Sequence, residues 1–138
     1  MDGKAPVLTE RDDIRLWKQI CKLESDVVRI TDRSMKTYKA VLKEINESGR
    51  RFNPLIISRL MHVSDLYDPD NMQNIILGLL ERCELTDCRP QLTAAKLFID
   101  IGSYDSAKLL LDRMTILNDV SEWEYLRGLV AEYEGDRE

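Results

Sequence analysis

The chain reads as an all-α protein: a long N-terminal helix, or a helix pair, packed on a short right-handed stack of antiparallel helical hairpins. Three observations carry this. Apolar residues recur at helical spacing through most of the 138 residues and never alternate with polar ones over a strand length. Asn53-Pro54, Asp68-Pro69 and Pro90 each stand at the head of such a periodic segment, where a proline is preorganised for the first helical turn. Gly128 and Gly135 fall 33 residues after Ala95 and Gly102, and a period of that length marks stacked helical hairpins.

Residues 1–8 read as a frayed end and 9–49 as the helix or helix pair. Thr9 is a candidate N-cap, with Asp12 and Asp13 in the first turn where carboxylates suit the helix dipole. Ile14, Cys21, Val28, Met35 and Leu42 recur every seven residues. A second row, Leu16, Ile20, Leu23, Val27 and Ile30, accompanies only the first half. One helix, or two meeting near Thr31-Asp32-Arg33-Ser34, satisfies this pattern, and Ile14, Ile20, Leu23, Val27 and Ile30 are expected to be covered. Gly49 is the expected left-handed residue that ends the segment.

Residues 50–138 form the hairpin domain. Asn53 caps a helix running to about Leu66. Asp68 caps one carrying Met72, Ile75, Ile76, Leu79, Leu80 and Cys83 on a single stripe. Pro90 opens a helix that ends at Gly102, and another runs from about Asp105 to Leu117. Ser121 and Glu124 are placed as a capping box, each satisfying an orphan backbone donor of the other, and start a last, unpaired helix to about Glu134. Ala95, Phe98, Ala107 and Leu111 should be buried together around the Gly102 turn.

Residues 88–136 resemble a tetratricopeptide repeat. Ala95 matches the small residue that lets two helices approach, Phe98 the aromatic one turn later, and Gly102 and Tyr104 the turn. Ala107 and Leu111 match the small and large apolar positions of the second helix. Gly128 and Gly135-Asp136 match a following partial unit. Gln91, Met114 and Asp119 depart from the pattern, and upstream the register slips, so residues 53–83 form a hairpin by analogy only. The resemblance implies a surface that holds other proteins. The Gly102–Met114 segment also looks like a pentatricopeptide helix, but RNA reading takes many repeats, and only one unit is present here.

Composition excludes several classes. The formal charge is −5, whereas nucleic acid is bound by surplus Lys and Arg, so no nucleic-acid partner is expected. Lys36, Lys39 and Lys43 read as a solvated helix face. No run approaches the ~20 apolar residues of a membrane span, so no membrane partner is expected either. Cys21, Cys83 and Cys88 are irregularly spaced and His62 is the one histidine, too few ligands for a zinc site. Asp65–Asp70 lacks the Gly and the bidentate Glu of a Ca²⁺ loop. No Gly-rich phosphate loop occurs. No metal, no cofactor, no enzymatic activity and a cytoplasmic location are expected.

What remains is protein binding. The expected function is a small chaperone, adaptor or assembly subunit that holds an apolar helix or extended segment of a partner. The alternative is a structural subunit that forms homo- or hetero-oligomers through residues 14–45 as a coiled-coil-like seam. Aromatic side chains dominate binding hot spots, and Tyr125, Tyr133 and Trp123 lie on the last helix. Tyr125 and Tyr133 are the first candidates for contact, Trp123 is expected to cap the stack, and Leu60, Met61 and Phe98 are a second set.

Overall fold

A computed structural model describes residues 11–115 and 119–137, so the expected frayed end and the Thr9 cap lie outside the described residues, whereas the helix expected to reach Leu117 ends at Arg113, with Met114 in extended backbone. Among these there are seven α-helices, two short 3₁₀ turns and no strand. Residues 11–47 are a helix pair. Helix α1 (Arg11–Ser25) stops without Pro or Gly, passes through a 3₁₀ turn at Asp26–Arg29 and leaves in extended backbone at Ile30. Thr31 then starts α2 (Asp32–Glu47) with a capping box. Its hydroxyl accepts from the Ser34 amide at 3.1 Å, and its own amide donates to the Ser34 hydroxyl at 2.8 Å.

Helix α2 folds back on α1, and ion pairs bridge the two: Arg15 meets Glu44, and Arg50, just past α2, meets the buried Asp13 at the start of α1. The seven-residue row is therefore no continuous seam, since Val28 stands at the break and is 92% exposed. Ile20 and Leu23 are buried and Val27 partly so, as expected, but Ile14 and Ile30 are exposed. Leu16, Ile20 and Leu23 share the inward face of α1. Ile14 lies about 200° from Leu16 on the helix, and Ile30 is in the connector.

Gly49 does not end α2. Ser48 leaves the helix in extended backbone, and among the described glycines Gly102 alone has positive φ. The Asn53 carboxamide accepts from the Leu55 amide at 2.8 Å and Pro54 opens α3 (Pro54–Tyr67). Helix α3 is central and packs against α1, α4 and α5, which is why Ile56, Ile57, Leu60, Met61, Val63 and Tyr67 are all buried around it. Asp68 is no cap for the next helix. Its carboxylate is held by the Asn71 side chain, Pro69–Asn71 forms a 3₁₀ turn, and α4 starts only at Met72 (Met72–Glu81). Backbone bonds from Phe52 to Arg82 (2.8 Å) and from Glu84 to Phe52 (3.0 Å) pin the end of α4 beside the start of α3, so the two are antiparallel. The Arg82 guanidinium donates to the Asn46 carbonyl, one of the orphan acceptors at the end of α2.

Helices α5 (Arg89–Asp100) and α6 (Tyr104–Arg113) form a hairpin. Gly102 turns the chain at φ +82°, and the Ser103 amide reaches back to the Phe98 carbonyl at 2.7 Å. Ala95, Phe98, Ala107 and Leu111 are buried together, as the spacing required. Helix α7 (Val120–Arg137) is started by Asp119, whose carboxylate accepts from the Glu122 amide at 3.1 Å. Ser121 lies inside the helix, so the expected box gives way to a single side-chain cap at Asp119. One hydrophobic core runs from Leu16 to Val130, and residues on both sides of position 50 contribute to it.

Candidate protein-docking surface

The expected contact residues separate into three environments. Leu60 and Met61 are both 0% exposed, which removes them as contact residues, and Phe98 is 1% exposed, with only an edge reaching a surface concavity. Leu60 and Met61 are swallowed because α1, α2, α4 and α5 all pack on α3, and Phe98 because it faces inward from α5. Trp123 is half-buried, and its indole N–H donates to the Leu111 carbonyl at 3.0 Å. That carbonyl is in the last turn of α6, where no intrahelical donor remains, so Trp123 closes the helix end. The Arg127 guanidinium lies over its ring and pairs with Asp112.

Tyr133 stacks on Tyr104 with ring centroids 3.7 Å apart and planes within 2°. With the Lys108–Glu134 pair at 3.0 Å, this joins the far end of α7 to the start of α6. Helix α7 is therefore not unpaired: it lies antiparallel to α6, also touches α5, and buries Leu126 and Val130. Tyr125 alone of the three aromatics projects into solvent, at 60% exposure.

A surface that the aromatic criterion misses lies between α4 and α6. The Gln73 carboxamide donates to the Ser106 hydroxyl at 3.0 Å, which sets the starts of the two helices side by side. From there they diverge around a trough of about 300 Å³. Leu80, Leu110 and the edge of Phe98 form its floor, Leu77 and Leu109 its rims, and Arg113 stands at the end opposite the Gln73–Ser106 bond. The rim leucines are 48% and 51% exposed. A signal for them does exist in the sequence. Leu77 is off the Met72/Ile76/Leu80 stripe and Leu109 is off the Ala107/Leu111 face, so each is an apolar residue that its own helix does not need for the core.

A second cleft, of about 360 Å³, opens at the start of α5 and is lined by His62, Asp87, Arg89, Lys96, Asp119 and Glu122 among others. Charges of both signs alternate around it. His62 is on the surface of α3, and partial desolvation, then the nearby Lys96 and Arg59, shift its imidazole below the usual range. Cys83 is buried with its thiol pushed up to about 12, as suits a small hydrophobe and not a nucleophile. Among the described residues no group of three His, Cys, Asp or Glu side chains could hold a metal ion, and no helix is long and apolar enough to cross a membrane.

In comparisons with known proteins, no family model, curated protein or solved structure matches this chain.

Proposed function

We propose that this chain is a non-enzymatic protein–protein interaction module, a small cytoplasmic chaperone, adaptor or assembly subunit that binds an apolar segment of a partner. The observation that carries this reading is the α4–α6 trough. Two leucines that serve no core stand half-exposed on its rims and converge on further apolar side chains. Exposed apolar surface that lines a concavity is characteristic of binding sites, whereas scattered single leucines are ordinary. We read α3–α7 as a divergent tetratricopeptide-like stack. The Gly102 turn, the buried Ala95 and Ala107 at the hairpin and the 33-residue recurrence of small residues support that reading. The test is affinity purification with wild type and with the double variant Leu77→Glu/Leu109→Glu. Both positions are on the surface, so the fold should persist by circular dichroism while a stoichiometric protein partner is lost. Retention of that partner by the double variant would remove the trough from the function.

A further inference from the structure

We infer that the α4–α6 trough takes a single amphipathic helix, with two apolar side chains one turn apart seated between Leu77 and Leu109 and an Asp or Glu side chain at the Arg113 end. This rests on the interaction-module reading and specifies the occupant. Length comes first. From Gln73 to Leu80 the trough follows two turns of α4, about 10 Å at 1.5 Å per residue. Side chains three or four apart on a helix stand ~5–6 Å from one another, so two of them fill that length.

Backbone chemistry selects a helix over an extended strand. The walls are the flanks of two helices and present aliphatic side chains. A strand laid on them would turn N–H and C=O groups toward leucines with no partners, whereas a helix satisfies its own. The Gln73–Ser106 bond bounds one end of the trough.

Charge sets the polarity of the occupant. Arg113 is the one charged side chain in the lining, and among the described residues it has no ion pair. Its neighbours differ: Lys108 is paired with Glu134, and Asp112 with Arg127. The guanidinium at the open end therefore has two donor edges available for a carboxylate. A second copy docked trough to trough supplies none, because the lining contains no acid.

The probe is a stapled, alanine-rich fluorescent helix with two leucines one turn apart and a glutamate one turn beyond, together with its Gln counterpart. Fluorescence anisotropy and leucine-methyl NMR are the readouts. Expected are methyl shifts confined to Leu77, Leu80, Leu109 and Leu110, and about tenfold tighter binding of the Glu peptide than of the Gln peptide. Arg113→Ala should erase that difference, and Leu77→Glu/Leu109→Glu should abolish binding of both. No methyl shift in the trough, or equal binding of both peptides to wild type, overturns the inference. Sedimentation that shows a dimer dissociated by Leu109→Glu also overturns it, in favour of a second copy. If neither peptide binds yet the double variant loses a natural protein partner, the helical occupant fails while the interaction-module reading stands. If the peptides bind and partner capture survives the double variant, the helical occupant stands while the trough is removed as the site that holds the natural partner.

Discussion

The Tyr67 hydroxyl donates a 2.7 Å hydrogen bond to the backbone carbonyl of Leu23, 44 residues earlier in the chain. Leu23 is in the last turn of α1, where carbonyls run short of intrahelical donors, and both residues are buried. The Tyr67 ring also stacks on Tyr38 of α2, with centroids 5.2 Å apart. One side chain of α3 thus holds both members of the N-terminal pair against the hairpins. Tyr67→Phe keeps the ring and leaves a buried carbonyl short of its partner. Urea denaturation should show a loss of about 1–3 kcal/mol with an unchanged m-value.

Two glycines should respond to alanine in opposite directions. Gly102 has φ +82°, where a Cβ is strained, so Gly102→Ala should destabilise by about 1–2 kcal/mol. Gly128 is mid-helix in α7 and an added Cβ would meet nothing within 4 Å. Gly128→Ala should therefore stabilise by about 0.5–1 kcal/mol. Melting temperatures that move the same way for both variants would falsify this account of the α5–α6 turn.

Ala107 is fully buried in the α5–α6 hairpin with Ala95 also fully buried. Ala107→Leu should overpack that contact and cost about 1–3 kcal/mol. Thermal unfolding at the wild-type temperature would mean that Ala107 does not lie at the crossing.

Trp123→Phe removes the indole donor to Leu111 and preserves most of the apolar contact, with an expected loss of about 1 kcal/mol. Trp123→Ala should cost more, since it also strips ring contact from the end of α6. Tyr125→Ala should leave stability within about 0.5 kcal/mol, because that ring is mainly in solvent. Differential scanning fluorimetry of the three variants ranks them. A Tyr125 variant less stable than Trp123→Ala would contradict the assignment of Trp123 as the closing residue.

The thiols should react unequally. Cys21 is partly exposed, while Cys83 and Cys88 are buried. Mass spectrometry after iodoacetamide at pH 8 should find one adduct on native protein, at Cys21, and three after denaturation. Burial holds Cys83 protonated up to about 12, whereas an unfolded thiol ionises near 9. The unfolded chain therefore binds fewer protons between those values, and Cys83 makes the native state less stable as pH rises through that window. Cys83→Ala should flatten that part of the stability–pH curve.

Local chemistry is legible in the sequence alone. Asn53-Pro54, Pro90 and Gly102 act as they read, because a cap or turn involves residues two to four apart and its side chain carries the instruction. Ser121 misled for the same reason. Asp119, two residues earlier, competes for the same orphan donors, and a carboxylate is a strong acceptor for them. The break between α1 and α2 was visible as a possibility at Thr31–Ser34. It follows from burial of Leu16, Ile20 and Leu23 in one core with Tyr38, Val41 and Ile45, and the Arg15–Glu44 and Arg50–Asp13 pairs, between residues 29 and 37 apart, accompany that packing.

The sequence by itself determined the all-α class, the starts of α3, α5 and α6 and the buried α5–α6 hairpin residues, since helical periodicity is written into each segment separately. It could mark Leu77 and Leu109 only as leucines off their own stripes. Whether such residues face water, a neighbour or each other depends on how distant helices are placed. Here the Gln73–Ser106 bond, the floor offered by Phe98 and the slack between α4 and α6 made that choice. The same holds for Leu60 and Met61: their spacing shows a helix face, but the packing of α1, α4 and α5 around α3 is what buried it.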